Sequence, residues 1–334
     1  MEAYLPVIWA GLIATAVALY VVMDDFDLGV GILFPFAKKE EERDAMMNSI
    51  APFWDGNETW LVLGGGGLWV AFPQAYAVIM PALYLPVTVM LLALIFRGVS
   101  FEFRFASKPK HALWDFAFTA GSILAAFSQG VILGGVIQGI TVANGEFAGG
   151  AFDWATPFAL LCGLGLVAGY GLLGATWIIS RVEGDLAEAA RRQATVLFPA
   201  VLVFIGLVSL WTPLQFDRIA ERWFSTPNIW FLWPVPLLTA GLAFLAWRSL
   251  RLKQEMVPFF TAVGLFLLCF IGLAISTFPY LVPPSLTIWD TAAVPASQVF
   301  SLIGVVFMLP IILGYFAFVF WTFRGKVRVG EGYH

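Results

Sequence analysis

The stretch VLFPAVLVFIGLVSLW, residues 196–211, is apolar on every face, and its reading decides the fold. A barrel strand would alternate polar and apolar residues in segments of about ten, and a surface helix of a soluble domain would keep a polar side. An unbroken apolar run suits a helix in hydrocarbon, where backbone groups must satisfy one another. The rest of the chain agrees. Of 334 residues, 60% are hydrophobic, 16% aromatic and only 12% charged, against about 25% charged in soluble domains. At roughly 20 residues per crossing, the chain has room for about eight to ten helices. The fold class expected is an all-α polytopic membrane protein.

Nine apolar segments follow one another, near residues 5–36, 48–72, 76–103, 112–142, 155–180, 193–213, 228–247, 257–281 and 298–323. They leave no room for a soluble domain, so residues 1–334 read as a single integral membrane domain. Positive charge tests the count. Lys38, Lys39 and Arg43 lie between segments one and two, Arg104, Lys108 and Lys110 between three and four, and Arg181, Arg191 and Arg192 between five and six. Arg248, Arg251 and Lys253 follow segment seven, and Arg324, Lys326 and Arg328 follow the ninth. Fifteen of the eighteen basic residues thus fall on one side; Arg218 and Arg222 face the other and Arg97 lies inside a span. The positive-inside rule makes the basic side cytoplasmic, with the N-terminus outside and the C-terminus inside. The opening Met1-Glu2-Ala3 lacks a basic n-region, so the first helix is expected to be retained. A net charge of −4 with no basic patch argues against nucleic acid as a partner. Cys162 and Cys269 sit in apolar runs and read as packing residues. The run Gly64–Gly67 reads as close helix packing or a bend.

Charged residues in a bilayer cost a few kcal/mol each and are kept for a partner, water or a task. Segment one carries Asp24, Asp25 and Asp27, with Asp24 and Asp27 three apart on one helix face. Segment two carries Asp55 and Glu58 at the same spacing, segment three carries Arg97, and Asp115 lies early in segment four. Asp27 lies eleven residues before Lys38 and Asp55 eleven after Asp44, so at 1.5 Å per residue both sit roughly 16 Å from one cytoplasmic loop. A short loop makes segments one and two antiparallel neighbours, which would bring the two acidic faces together. Several carboxylates in one low-dielectric place cannot all ionise, and such a coupled group can pass protons. The competing view is that the acids cap helices and pair with Arg97.

The two histidines, His111 and His334, lie outside the spans, so the chain offers no bis-histidine haem site. Met80, Met90 and Met308 read as core filler. No HExxH, CxxC or Walker loop is present, and no dinucleotide-binding GxGxxG is expected.

Four strings taken together resemble subunit II of the cytochrome bd-type quinol oxidases: DDFDLGVG (24–31), NSIAPFWDGNETWL (48–61), FRGVSFEFR (96–104) and FPYLVPPSLTIWD (278–290). They stand in family order along essentially the whole chain, and the cyanide-insensitive branch is the nearest placement. The resemblance implies nine transmembrane helices arranged as two four-helix bundles plus one peripheral helix, in a bacterial inner-membrane protein that binds no haem iron itself. It implies a pseudosymmetric heterodimer with a subunit I holding two b-type haems and a haem d or third b-type haem. That complex oxidises quinol, reduces dioxygen to water electrogenically, and draws protons from the cytoplasm. The family's hydrophilic channel falls on Asp55 and Asp27, with Trp54, Asn57 and Glu58 around them. A structural quinone, a single-helix accessory subunit and membrane lipids complete the associations implied. A proton-coupled secondary transporter is the competing function; it suits membrane acids, but the inverted repeat common in that class is not evident.

Overall fold

A computed structural model describes residues 2–108 and 110–328; His334 lies outside the described residues. The chain is helical nearly throughout. The elements are α1 (Leu5–Met23), α2 (Asp25–Leu33), α3 (Glu40–Ile50), α4 (Trp54–Ala71), α5 (Pro73–Ala82), α6 (Tyr84–Ala106) and α7 (Ala112–Gln138). There follow α8 (Pro157–Arg181), α9 (Gly184–Gln215), α10 (Asp217–Phe224), α11 (Asn228–Leu232), α12 (Pro234–Arg251), α13 (Val257–Thr277) and α14 (Pro295–Thr322). Two short hairpins, Val142–Ala143 with Glu146–Phe147 and Tyr280–Val282 with Leu286–Thr287, close the longer loops.

Among the described residues eight helical stretches are long and apolar enough to cross a membrane: Leu5–Phe36, Tyr84–Ala106, Ala112–Gln138, Pro157–Arg181, Gly184–Gln215, Asn228–Arg251, Val257–Thr277 and Pro295–Thr322. The expected second crossing is the helix α4, whose 18 residues include Asp55, Asn57, Glu58 and the four consecutive glycines. Its length suits a span, and its polar first turns make it the least apolar of the set. Three expected segments are subdivided. The first breaks at Asp24. The second divides into the end of α3, a turn over residues 51–53, and α4. The third breaks at Leu83, just after Pro81, which removes a backbone donor from α5.

Packing is densest around α2, which lies against α7 and α8. Gly29 and Gly174 make this possible: a Cβ on Gly29 would fall 1.9 Å from the Tyr170 carbonyl oxygen, and one on Gly174 would fall 2.2 Å from the Gly29 carbonyl carbon. The two backbones therefore touch, and only glycine permits it. The string GYGLLG (169–174) has the letters of a dinucleotide fingerprint, but it lies mid-helix in α8 with no strand before it, so its last glycine serves packing rather than phosphate binding. Phe26 of α2 stacks on Trp177 of α8 with ring centroids 4.0 Å apart, extending this core toward α3 and α13.

α1 packs along α4. The Gly64–Gly67 run does not interrupt α4; Gly64 and Gly67 admit Val17 and Ile13 of α1, while Gly65 and Gly66 have nothing close. Cys162 is buried with Ile137, Phe158 and Ile219, whereas Cys269 is exposed on α13. The basic loops meet at one end of the bundle. Arg181 at the end of α8 stacks against Trp177 and Phe53 and donates to the Phe323 carbonyl after α14, while Lys326 pairs with Glu183 and Glu255.

Candidate functional site: a buried arginine among carboxylates

The break between α1 and α2 turns three acids inward. Asp24, Asp25 and Asp27 are all fully buried, as are Asn57 of α4 and Arg97 of α6. Arg97 is the centre. Its Nη1 lies 3.3 Å from Asp24 Oδ1 and 3.0 Å from Glu58 Oε1, and its Nη2 lies 3.9 Å from Asp27 Oδ2. One guanidinium thus holds carboxylates from the α1–α2 junction, α2 and α4. A planar fork of five donors suits that task better than an ammonium would. Asn57 completes the arrangement by donating from Nδ2 to Asp27 Oδ2 at 2.7 Å and to the Met23 carbonyl at 2.8 Å, which ties α4 to the α1–α2 junction.

Aromatic rings close one side. Trp54 stacks on Phe101 with centroids 4.6 Å apart and planes 3° from parallel, and the Arg97 guanidinium lies 5.8 Å and 5.6 Å from the two rings. Such contacts favour a desolvated cation. Gly98 leaves room for the indole, since a Cβ there would meet Trp54 at 3.2 Å. Five polar atoms around the guanidinium have no hydrogen-bond partner within the protein: Asp24 Oδ2, Asp27 Oδ1, Asn57 Oδ1, and Arg97 Nε and Nη2. Buried polar atoms concentrated in this way are the surroundings that internal water occupies.

The remaining expected residues divide. Glu58 joins the cluster and is the half-exposed member, its side chain retaining 28% of its accessible surface. Asp55 does not join it. The turn over residues 51–53 ends the continuous rise on which its depth was reckoned, so Asp55 opens α4 and is exposed on the opposite side from Asn57. Asp25 is buried, and neither of its carboxyl oxygens has a hydrogen-bond partner among the described residues. Asp115 belongs to a second, more peripheral cluster. There the buried Arg104 donates from Nε to Asp115 Oδ1 at 2.6 Å and from Nη1 to Asp44. Lys108 donates to Asp44 at 2.5 Å and Arg43 to Asp115 at 3.2 Å. This group ties α3, α6 and α7 together on the side of the basic loops. Burial raises the Asp44 carboxyl, but hydrogen bonds from Lys108 and Arg104, with their charges, outweigh that and hold it below the ordinary carboxylate value.

The sequence reading passed over Arg104 and Asp44 as loop markers. It also missed Tyr20, Gln129 and Tyr170, which form a hydrogen-bonded chain beside Asp24 and Asp25. Tyr20 could have been found from its position one turn before Asp24. The other two lie on distant helices and carry no local signal. Among the described residues no grouping of His, Cys, Asp and Glu is arranged to hold a metal ion. His111 stands at the start of α7, 3.3 Å from Glu40.

Comparison with known proteins adds what geometry alone does not. Residues 5–323 match the family model described as cytochrome bd terminal oxidase subunit II. The chain is 31% identical over 361 aligned positions to cytochrome bd-I ubiquinol oxidase subunit 2 of Escherichia coli (strain K12), covering 96% of this chain and 94% of that one. It is 32% identical over 342 positions to cytochrome bd ubiquinol oxidase subunit 2 of Bacillus subtilis (strain 168), covering 97% of each. Its fold matches a chain of the bd oxidase from Geobacillus thermodenitrificans with a TM-score of 0.75 at 18% identity, over 96% of this chain and 99% of that one. Nothing in these likenesses supports the transporter alternative, and with matches that run nearly end to end, the chain belongs to the cytochrome bd terminal oxidase subunit II family.

Proposed function

We propose that this chain is the haem-ligand-free subunit of a quinol:oxygen oxidoreductase, and that it carries cytoplasmic protons toward the site of dioxygen reduction in a haem-bearing subunit I. The observation that carries the reading is the full burial of Arg97 among Asp24, Asp27 and Glu58. A permanent positive charge there lets any one carboxylate give up a proton without leaving an uncompensated anion in a low-dielectric interior. Glu58, half exposed, is the entry between surface and interior. Asp27, held by Asn57, is the inner station. Asp55 stands on the outward face of α4, where a charge is costly against lipid and acceptable against a protein partner. That favours subunit I as the neighbour of this face, with Asp55 as the link across the interface.

The same reading places α4 across the membrane as the ninth span, puts the N-terminus outside and the C-terminus inside, and arranges the helices as two four-helix bundles plus a peripheral helix. The haems, two of b type and a haem d or third b type, belong to subunit I, because no histidine of this chain lies within a span. The chain supports the assembly of that subunit and is not catalytic alone, while the complex is electrogenic because protons and electrons reach dioxygen from opposite sides. A structural quinone, a single-helix accessory subunit and bound lipids are further associations of the complex.

The test uses the purified complex. Asp27→Asn and Glu58→Gln are expected to lower quinol-dependent oxygen uptake by about tenfold or more, about 1.4 kcal/mol in barrier, with the haem absorption spectrum unchanged. Full turnover in both variants would leave the chain as a scaffold.

A further inference from the structure

We propose that the basic end of α12 binds a phospholipid with an anionic headgroup, its phosphate held by Arg248 and Arg251 and its acyl chains lying on the outward face of the same helix. This deepens the lipid association proposed for the complex and rests on it, and it is independent of proton delivery.

Many basic residues at this end of the bundle are already engaged. Arg43 and Arg104 are bound to Asp115, Lys108 to Asp44, Arg191 and Lys253 to Glu188, and Lys326 to Glu183 and Glu255. Arg181 and Arg324 donate to main-chain carbonyls. Arg248 and Arg251 differ. Both are exposed in the last turn of α12, and among the described residues neither makes an ion pair or donates a hydrogen bond from its guanidinium. Glu255, the next acid along the chain, is taken by Lys326 at 2.8 Å. A guanidinium carries five N–H donors, so two full sets of donors and two positive charges stand at this helix end without an anion.

The surroundings identify the anion. Helix α12 has 18 residues, which at 1.5 Å per residue is about 27 Å, close to the roughly 30 Å of a hydrocarbon core. The two arginines at its end therefore stand at the level of the lipid phosphates. The helix packs on α9 and α13 and buries Ala246, Ser249 and Leu250. Its other side is apolar and exposed through Leu237, Leu238, Phe244 and Leu245, a bed for acyl chains. Trp247 marks the border, as tryptophan does at membrane interfaces. Its ring centroid lies 5.8 Å from that of Phe244 and 5.1 Å from the Arg251 guanidinium. This cation–π contact orders Arg251 beside the apolar bed, and Arg248, three residues earlier, neighbours it on the helix surface. Arginine meets a phosphate with two parallel N–H donors, and basic sites at the cytoplasmic leaflet recruit anionic headgroups.

The experiment is native mass spectrometry of the purified, delipidated complex titrated with phosphatidylglycerol, with zwitterionic phosphatidylcholine for comparison. The parent should bind phosphatidylglycerol the more tightly. Arg248→Gln combined with Arg251→Gln should weaken its tightest site by about tenfold or more and leave phosphatidylcholine binding unchanged. Lys38→Gln combined with Lys39→Gln removes as many charges from the same side and should leave that site intact. Should the double arginine variant fail to assemble, Trp247→Leu keeps both charges but releases Arg251, and should weaken the site by a smaller factor. An unaltered site in the arginine variant or in Trp247→Leu, or an equal loss in the lysine variant, overturns the proposal. So does loss of a polypeptide of the complex together with the arginines, which would make this face a protein contact. A parent that binds neither lipid removes the lipid association as well, whereas tight phosphatidylglycerol binding indifferent to these substitutions keeps the association and removes only this site.

Discussion

Replacing Arg97 by Gln removes the one positive charge of the interior cluster while keeping a polar side chain of shorter reach. In the parent, Nη1 lies between Asp24 and Glu58 at 3.3 Å and 3.0 Å, and Nη2 is 3.9 Å from Asp27. Unit charges 4 Å apart attract by about 4 kcal/mol at an effective dielectric constant near 20, and removing one partner of a buried pair costs about 3–5 kcal/mol. Glu58 keeps part of its hydration, which places the loss near the lower end, about 3 kcal/mol. The double variant Arg97→Gln with Asp24→Asn also removes the acid that lies beside the guanidinium in full burial. It should recover about 1–2 kcal/mol, within the range of coupled neighbouring sites. Arg97→Lys should fall between parent and Gln, because a point charge cannot reach three carboxylates at once. The assay is equilibrium unfolding of the complex in mixed micelles, followed by tryptophan emission. An Arg97→Gln variant within about 0.5 kcal/mol of the parent, or a double variant no more stable than the single one, would refute the reasoning.

Gly29→Ala places a methyl group 1.9 Å from the Tyr170 carbonyl oxygen, so α2 and α8 must separate; expression of assembled complex should fall sharply, while Gly65→Ala, at an open position of α4, should be neutral. The Asp44 carboxyl, held below its ordinary value by Lys108 and Arg104, contributes stability that is present above its unfolded value of about 3.9 and is lost as pH falls through the lower folded value. Protection of the α3 amides against hydrogen exchange, taken relative to the intrinsic rate at each pH, should therefore fall on acidification from about pH 6 to pH 3 in the parent, and should be low at both in Asp44→Asn; equal pH response in parent and variant would count against the pairing. Asp55→Asn should leave stability of the isolated chain unchanged, since the side chain is exposed, and should lower oxygen uptake of the complex; loss of stability without loss of uptake would remove Asp55 from the pathway.

How far the sequence reaches can be judged from particular residues. The membrane class followed from runs such as residues 196–211, because hydrocarbon leaves a chain few choices. Asp24, Asp27, Glu58 and Arg97 were legible as a group because charge in an apolar span is expensive enough to need a reason. Face spacing did less well. The three-residue rule put Asp55 with Glu58, yet the residue that reaches Asp27 is Asn57, since the turn over residues 51–53 resets the helix and rotates its faces. Asp115 stood among the charges of the spans and is bound to Arg104 and Arg43, because a sequence gives order along the chain and not which of two arginines on one helix a neighbour will meet. Gln129 and Tyr170 were invisible for a related reason: their hydrogen bonds join α1, α7 and α8, and only tertiary packing creates that meeting.

The most direct measurement is proton uptake during a single oxidative turnover of the complex in sealed vesicles, with a pH-sensitive dye confined to the side bearing the basic loops. The account requires uptake from that side in the parent and slow or absent uptake in Asp27→Asn, at unaltered haem content. Parent-like uptake in Asp27→Asn and in Glu58→Gln alike would contradict it, and would return the buried arginine and its carboxylates to a purely structural role.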